Sequence, residues 1–174
     1  TQYTPEKGWD ENKLDMFRRH IIQLGTTGVF VIYDELEGKE PVTWSYLLHT
    51  VELPMEIQEL TDEVKVIGKN KAGGVSVAHL FSSAKTEQAM VDTFFCAPTN
   101  WKNVTNAQGK ALKYPNHWHF SSTTVPCKTA RFLTVMDTHG KNRPDMQVVR
   151  KGNTIQVGDW TITCNLTEKG KAAI

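Results

Sequence analysis

No apolar run in these 174 residues is long enough to cross a membrane as a helix. The longest, Val29-Phe-Val-Ile-Tyr33, is strand-sized against the roughly 20 residues a span needs, so no membrane partner is expected. An excess of charge of one sign is missing too. Twenty basic residues stand against nineteen acidic ones, a net +1 without the concentrated positive field that draws a phosphate backbone, and nucleic acid is not expected as a partner. Cysteine is scarce. Cys96, Cys127 and Cys164 are odd in number and lack C-x-x-C spacing, which argues against both a disulfide framework and a zinc knuckle and leaves room for one bridge at most. No serine sits in a G-x-S-x-G elbow, and no glycine-rich run stands between a strand and a helix as a phosphate cradle, so readings as a serine hydrolase or a nucleotide binder fail. The first residues (TQYTPEKGWDENK) carry neither an initiator Met nor a basic, then apolar, leader, so any export signal is expected upstream.

What is present is a train of short β-branched and aromatic runs, punctuated by Gly, Pro, Asn or Asp about every ten residues, the spacing of antiparallel β-sheets. With 39% hydrophobic and 22% charged residues the chain has the makings of a packed core rather than of disorder. Strands are predicted over 16–24 and 29–36, joined by the turn Gly25-Thr-Thr-Gly28. The second is apolar on both faces and so belongs inside a sheet. Glu37-Gly-Lys-Glu-Pro41 reads as the next turn. In 44–52, Trp44, Tyr46 and Leu48 share one face and Ser45, Leu47, His49 and Val51 the other, both half-buried.

A short strand over 64–67 leads into Gly68-Lys-Asn-Lys-Ala-Gly-Gly74, the most linker-like stretch and the expected domain boundary. Beyond it Val75, Val77, His79 and Phe81 alternate with small residues, and 90–96 repeats that habit. Residues 97–116 read as a long exposed loop. Strands over 117–125, 130–137, 146–150, 154–157 and 160–164 complete a meander with tight turns at Gly152-Asn153 and Gly158-Asp159. Residues 83–89 (SAKTEQA) carry helix formers without an apolar stripe, enough for a turn or two of helix.

Candidate chemistry is sparse. His117 and His119, at i and i+2 on a strand, project from one face as barrel metal sites do, but a third ligand would have to come from His79, His49 or Asp137; the plain alternative is a polar strand face. Arg18 and Arg19, with His20, could meet an anionic ligand through the planar guanidinium fork, or be solvated. The same choice holds for Lys65, Lys69 and Lys71. Asp34-Glu35 could form a paired-carboxylate site, though acids at a strand end commonly satisfy turn amides. Among five Trp, Trp101 stands alone in the long polar loop as a candidate sugar-stacking ring, beside the sequon Asn103-Val-Thr105.

Phe17-Arg-Arg-His-Ile-Ile-Gln-Leu24 running into Val31-Ile-Tyr-Asp-Glu-Leu36, then Pro41-Val-Thr-Trp-Ser-Tyr-Leu-Leu-His-Thr50, resembles the C-terminal half of heparinase II/III-like polysaccharide lyases. Gly68-Lys-Asn-Lys71, Val91-Asp-Thr-Phe94 and Asn116-His-Trp-His-Phe120 through Phe132-Leu-Thr-Val135 look like their later strands, so the resemblance spans most of the chain.

It implies an all-β, antiparallel fold in which 1–72 ends a large, supersandwich-like sheet domain and 73–174 forms a small C-terminal β-sandwich. In that family a base removes the proton α to a uronate carboxylate and an acid assists the leaving oxygen. The Tyr and His that do so come mainly from an α-helical toroid and the start of the sheet domain, so no catalytic residue is carried over. His20 and His49 lie in matching strands but match no catalytic motif. Some members hold a structural zinc, yet no cofactor is expected in this fragment. The implied protein is a periplasmic or secreted enzyme that meets acidic polysaccharide as a whole, with the toroid upstream in the same chain. A carbohydrate-binding module and a cupin-like metal-binding protein built on His117 and His119 are the rivals.

Overall fold

A computed structural model of the chain describes residues 3–4, 8–9, 14–51, 53–92, 106–110 and 117–167. Among these residues every regular element is a strand, and no helix is long and apolar enough to cross a membrane. The strands are β1 (Tyr3–Thr4), β2 (Gly8–Trp9), β3 (Leu14–Gln23), β4 (Val29–Val42), β5 (Ser45–Val51), β6 (Glu56–Glu59) and β7 (Val64–Lys69). They continue with β8 (Gly74–Ser82), β9 (Thr86–Val91), β10 (His117–Thr124), β11 (Cys127–Gly140), β12 (Val148–Lys151), β13 (Thr154–Val157) and β14 (Trp160–Thr163). All pairings are antiparallel. A six-stranded sheet runs β3-β4-β11-β8-β7-β6, and two three-stranded sheets run β5-β10-β9 and β12-β13-β14, apart from the β1-β2 pair.

Alternation along the middle strands explains the layering. In β11, Leu133 and Val135 point into one apolar cluster with Val31, Tyr33, Phe81, Ile155, Val157 and Ile162, so the β12-β13-β14 sheet covers that face. Ala130 and Phe132, one residue out of phase, join a second cluster with Leu36, Tyr46, Leu80 and Phe120, which puts β5-β10-β9 on the opposite face. A strand buried on both faces must be apolar at every position, and this is why 29–36 carries no polar alternation until Asp34 and Glu35.

The pairing is strongly non-local. β4 lies against β11, and β5 against β10, so strands from early and late in the chain share sheets. In Gly68-Lys-Asn-Lys-Ala-Gly-Gly74, Gly68 and Lys69 end β7, Gly74 opens β8 and residues 70–73 form the turn of the hairpin, which belongs to the six-stranded sheet together with β4 and β11. Strands from 1–72 and from 73–174 are thus interleaved in one sheet. Glycine there serves a tight turn, which needs the same flexible residues as a linker.

Two local expectations are corrected. Glu37–Pro41 is not a turn between strands: β4 runs through it to Val42, and the extra residues appear as an irregularity where Thr129 pairs Glu37 but Cys127 pairs Val42. Residues 83–89 form no helix. From Thr86 they enter β9, whose Thr86, Gln88 and Met90 lie less exposed than the intervening Glu87 and Ala89, and Met90 packs on the second core. Burial of that face overrides the local helix preference. The turn at Gly28 is fixed by contact, since a Cβ there would stand 2.6 Å from the Thr138 carbonyl oxygen at a φ of +77°.

Candidate functional site

The Arg18-Arg19-His20 run lies on the edge strand β3 in register with the acids of β4, Arg18 opposite Glu35 and Arg19 opposite Asp34. Because neighbours on a strand face opposite ways, the pairs split between the two sides of the sheet. On one side Arg19 donates from Nε and Nη2 to the two Asp34 oxygens at 2.6 and 2.7 Å, a bidentate fork, and its guanidinium lies 5.9 Å from the ring centres of both Phe17 and Tyr46. The Asp34 hydrogen bond, against the cost of burial, raises the Arg19 pKa. Burial, with the Asp34 charge adding to it, pushes the Tyr46 phenol above its ordinary range.

On the other side His20 Nε2 sits 3.1 Å from one Glu35 oxygen and Arg18 Nη1 3.7 Å from the other. Asp34 and Glu35 are nearly fully buried and lie mid-strand, so they do not cap a turn. Their partners are the basic residues that sequence reading set aside for a ligand. An acid pair 15 residues downstream of a basic run, across a hairpin of this length, is the signal that could have found them.

His117 and His119 do share a face of β10, the outward one, and His49 of β5 is the registered partner of His119. The His49 and His119 rings meet edge-on with centroids 4.5 Å apart. The other two proposed third ligands lie elsewhere. His79 and Asp137 belong to the six-stranded sheet on the side of the first core, where His79 faces Glu63 at 3.3 Å and Asp137 holds Arg143 and the Met146 amide. Among the described residues no group of three or more His, Cys, Asp or Glu is arranged to hold a metal ion, and no described sheet is closed.

The imidazole cluster has an electrostatic consequence. Desolvation, and then the nearby His49 and His117, hold His119 below the ordinary imidazole pKa. A histidine depressed on folding stabilises the fold above its unfolded pKa of about 6.5, and that stability is lost as pH falls through the lower folded value. In an NMR titration His119 is therefore expected to protonate below the ordinary imidazole value of about 6.5, and His119→Gln to lessen the fall in melting temperature below about that pH. Protonation of His119 at or above the ordinary imidazole value would contradict this.

Trp101 and Asn103-Val-Thr105 lie outside the described residues. Trp160, 47% exposed at the start of β14, is the exposed tryptophan the structure offers instead. Of the lysines, Lys65 donates to Asp145 at 3.2 Å, while Lys69 and Lys71 stand at the β7–β8 turn. Cys127 and Cys164 are both free, and Cys96 is outside the described residues. Burial pushes the Cys164 thiol up to about 11 from an ordinary 9.0. Near neutral pH its thiolate is then about a hundredfold scarcer than an ordinary one, so iodoacetamide is expected to label half-buried Cys127 before Cys164. Faster labelling of Cys164 in the folded chain would contradict that burial.

No family model matches the chain, and no curated protein matches it.

Proposed function

We propose that the chain is a supporting β portion of a larger protein, the non-catalytic C-terminal part of a heparinase II/III-like polysaccharide lyase that cleaves uronic-acid-containing glycans by β-elimination. The observation that carries the first half of this reading is the β3 edge. This ten-residue strand ends the six-stranded sheet with no further strand among the described residues beyond it, and its Phe17 and Ile21 are 57% and 64% exposed on one face. A long edge with exposed apolar side chains invites pairing with other chains, and proteins ordinarily cover such an edge. More polypeptide of the same protein lying over β3 would cover it. The lyase half of the reading rests on the sequence resemblance of 17–50 and 116–135, and on basic residues spent on internal acids rather than left for chemistry.

The test is the coding sequence upstream of Thr1. An export signal and an α-helical toroid in the same reading frame are expected, with a periplasmic or secreted product that meets acidic polysaccharide. A stop codon or an unrelated domain there would overturn the proposal. A carbohydrate-binding module is the second reading, favoured by the exposed Trp160 ring. It predicts a change in tryptophan fluorescence on glycan titration that Trp160→Ala removes.

A further inference from the structure

The strands β8 and β11 end together, with Gly74 and Gly140 as a registered pair, and both are continued by turns. The first turn is closed by Asn70, whose carbonyl accepts from the Gly73 amide at 3.1 Å and whose Oδ1 accepts from the Gly74 amide at 2.8 Å. In the second, the Arg143 amide donates to the Gly140 carbonyl at 3.1 Å. Between them lies an open groove of about 530 Å³, lined by Gly73, Gly74, Gly140, Lys141 and Arg143 among others. The Lys141 stem lies along Gly73, its Cδ only 3.2 Å from where a Cβ would stand. A second hollow of about 560 Å³ shares Gly74 and is lined by Lys69.

The charge balance at this end of the sheet is uneven. Asp137 is fully buried and already bound by Arg143 and the Met146 amide. Asp145 is engaged by Lys65 and His139, each at 3.2 Å; burial opposes its ionisation, but these two partners outweigh that and hold its carboxyl below the ordinary range. Lys69 and Lys141 are exposed and form no ion pair with a described residue. Several cations within about one Debye length of a groove leave it positive once the nearby acids are neutralised. Of the groove's three glycines, Gly73 is overlain by the Lys141 stem and Gly74 by the Asn70 side chain, while Gly140 is open, with nothing within 4 Å of where a Cβ would stand, so an anionic group can approach over Gly140.

We propose that this groove is an anion subsite for the sulfate or carboxylate groups of an acidic saccharide, with Lys141 as the cation in its lining, Lys69 in the adjoining hollow as a second, and the outer face of Arg143 as a further donor. The anion specificity comes from the groove alone. The choice of a saccharide rests on the lyase reading above.

The experiment is an amide NMR titration of the 174-residue chain with inorganic sulfate and, separately, with a sulfated uronic oligosaccharide. Both are expected to shift Gly73, Gly74, Gly140 and Lys141, and the oligosaccharide should bind at least about tenfold tighter, because it can meet more than one cation. Gly140→Leu is the informative variant. A Cβ there meets nothing within 4 Å and the residue does not have a positive φ, so the substitution fills the groove without straining the turn or removing a charge.

It should abolish the shifts, K69E/K141E should weaken oligosaccharide binding at least about tenfold, and Lys128→Glu, at an exposed position on β11, should leave it unchanged. No shift of these amides with either ligand, or shifts that survive Gly140→Leu, would overturn the subsite. Sulfate binding with no gain for the oligosaccharide would overturn the saccharide while leaving an anion site. An upstream sequence without a toroid would defeat the lyase reading and leave the sulfate result untouched.

Discussion

Phe120→Ala is expected to destabilise the protein by about 3–5 kcal/mol, the usual cost of emptying a large aromatic site in a packed core. Phe120 is 0% exposed in the middle of β10, paired with Leu48 of β5 and Met90 of β9, and belongs to the cluster that seats this three-stranded sheet on Leu36, Leu80 and Phe132. Loss of the ring leaves a void between two layers whose backbones are held by their own ladders and can collapse only in part. Val149→Ala, at a 39% exposed position of β12, should cost less than about 0.5 kcal/mol and serves as the comparison. Urea unfolding checks both, through the shift in midpoint at constant slope. A change below about 1 kcal/mol for Phe120→Ala would mean that the β5-β10-β9 sheet does not pack on the second core.

Removing the cation that serves Asp34 should be nearly as damaging. Arg19→Met leaves a carboxylate that is 3% exposed, with its bidentate partner gone, and breaking such a pair from one side typically costs about 3–5 kcal/mol. Arg19 itself is 42% exposed, so solvent screening places the loss toward the lower end of that range. Removing both charges behaves differently. Arg19→Met with Asp34→Leu should recover much of the stability, because no buried charge then lacks a partner and Asp34 already adjoins Phe132 in register. A double-mutant cycle measures this directly. If the double variant is as unstable as the sum of the singles, Asp34 and Arg19 are independent and the proposed pairing is wrong.

Much of the fold was legible in the sequence because period-two alternation and glycine-bearing turns are local signals. The strand at 29–36, apolar on both faces, is an interior strand of the largest sheet, and the turns at Gly152 and Gly158 fall where expected, both glycines with positive φ. Pairing was not legible. That β4 lies on β11 and β5 on β10 depends on contacts between residues about 70 to 100 positions apart, for which alternation carries no information. The glycine stretch 68–74 was ambiguous for a related reason, since a tight hairpin turn and a linker draw on the same residues.

The site was read less well. His117 and His119 do project together, but which histidine joined them depended on register, and register placed His49 there. The basic run of β3 and the acids of β4 were weighed separately. Only the ladder of that hairpin shows that each charge has its partner across the strand. The groove at Gly74 and Gly140 had no local signature, because its lining comes from turns about 70 residues apart.

The claim that this portion supports chemistry done elsewhere is tested most directly by assaying turnover of uronic polysaccharides, through the absorbance of the unsaturated uronate product. The purified 174-residue chain should give no product, and the whole protein containing it should give product readily. Product formed by the isolated chain, or none formed by the whole protein on any uronic glycan, would contradict the account.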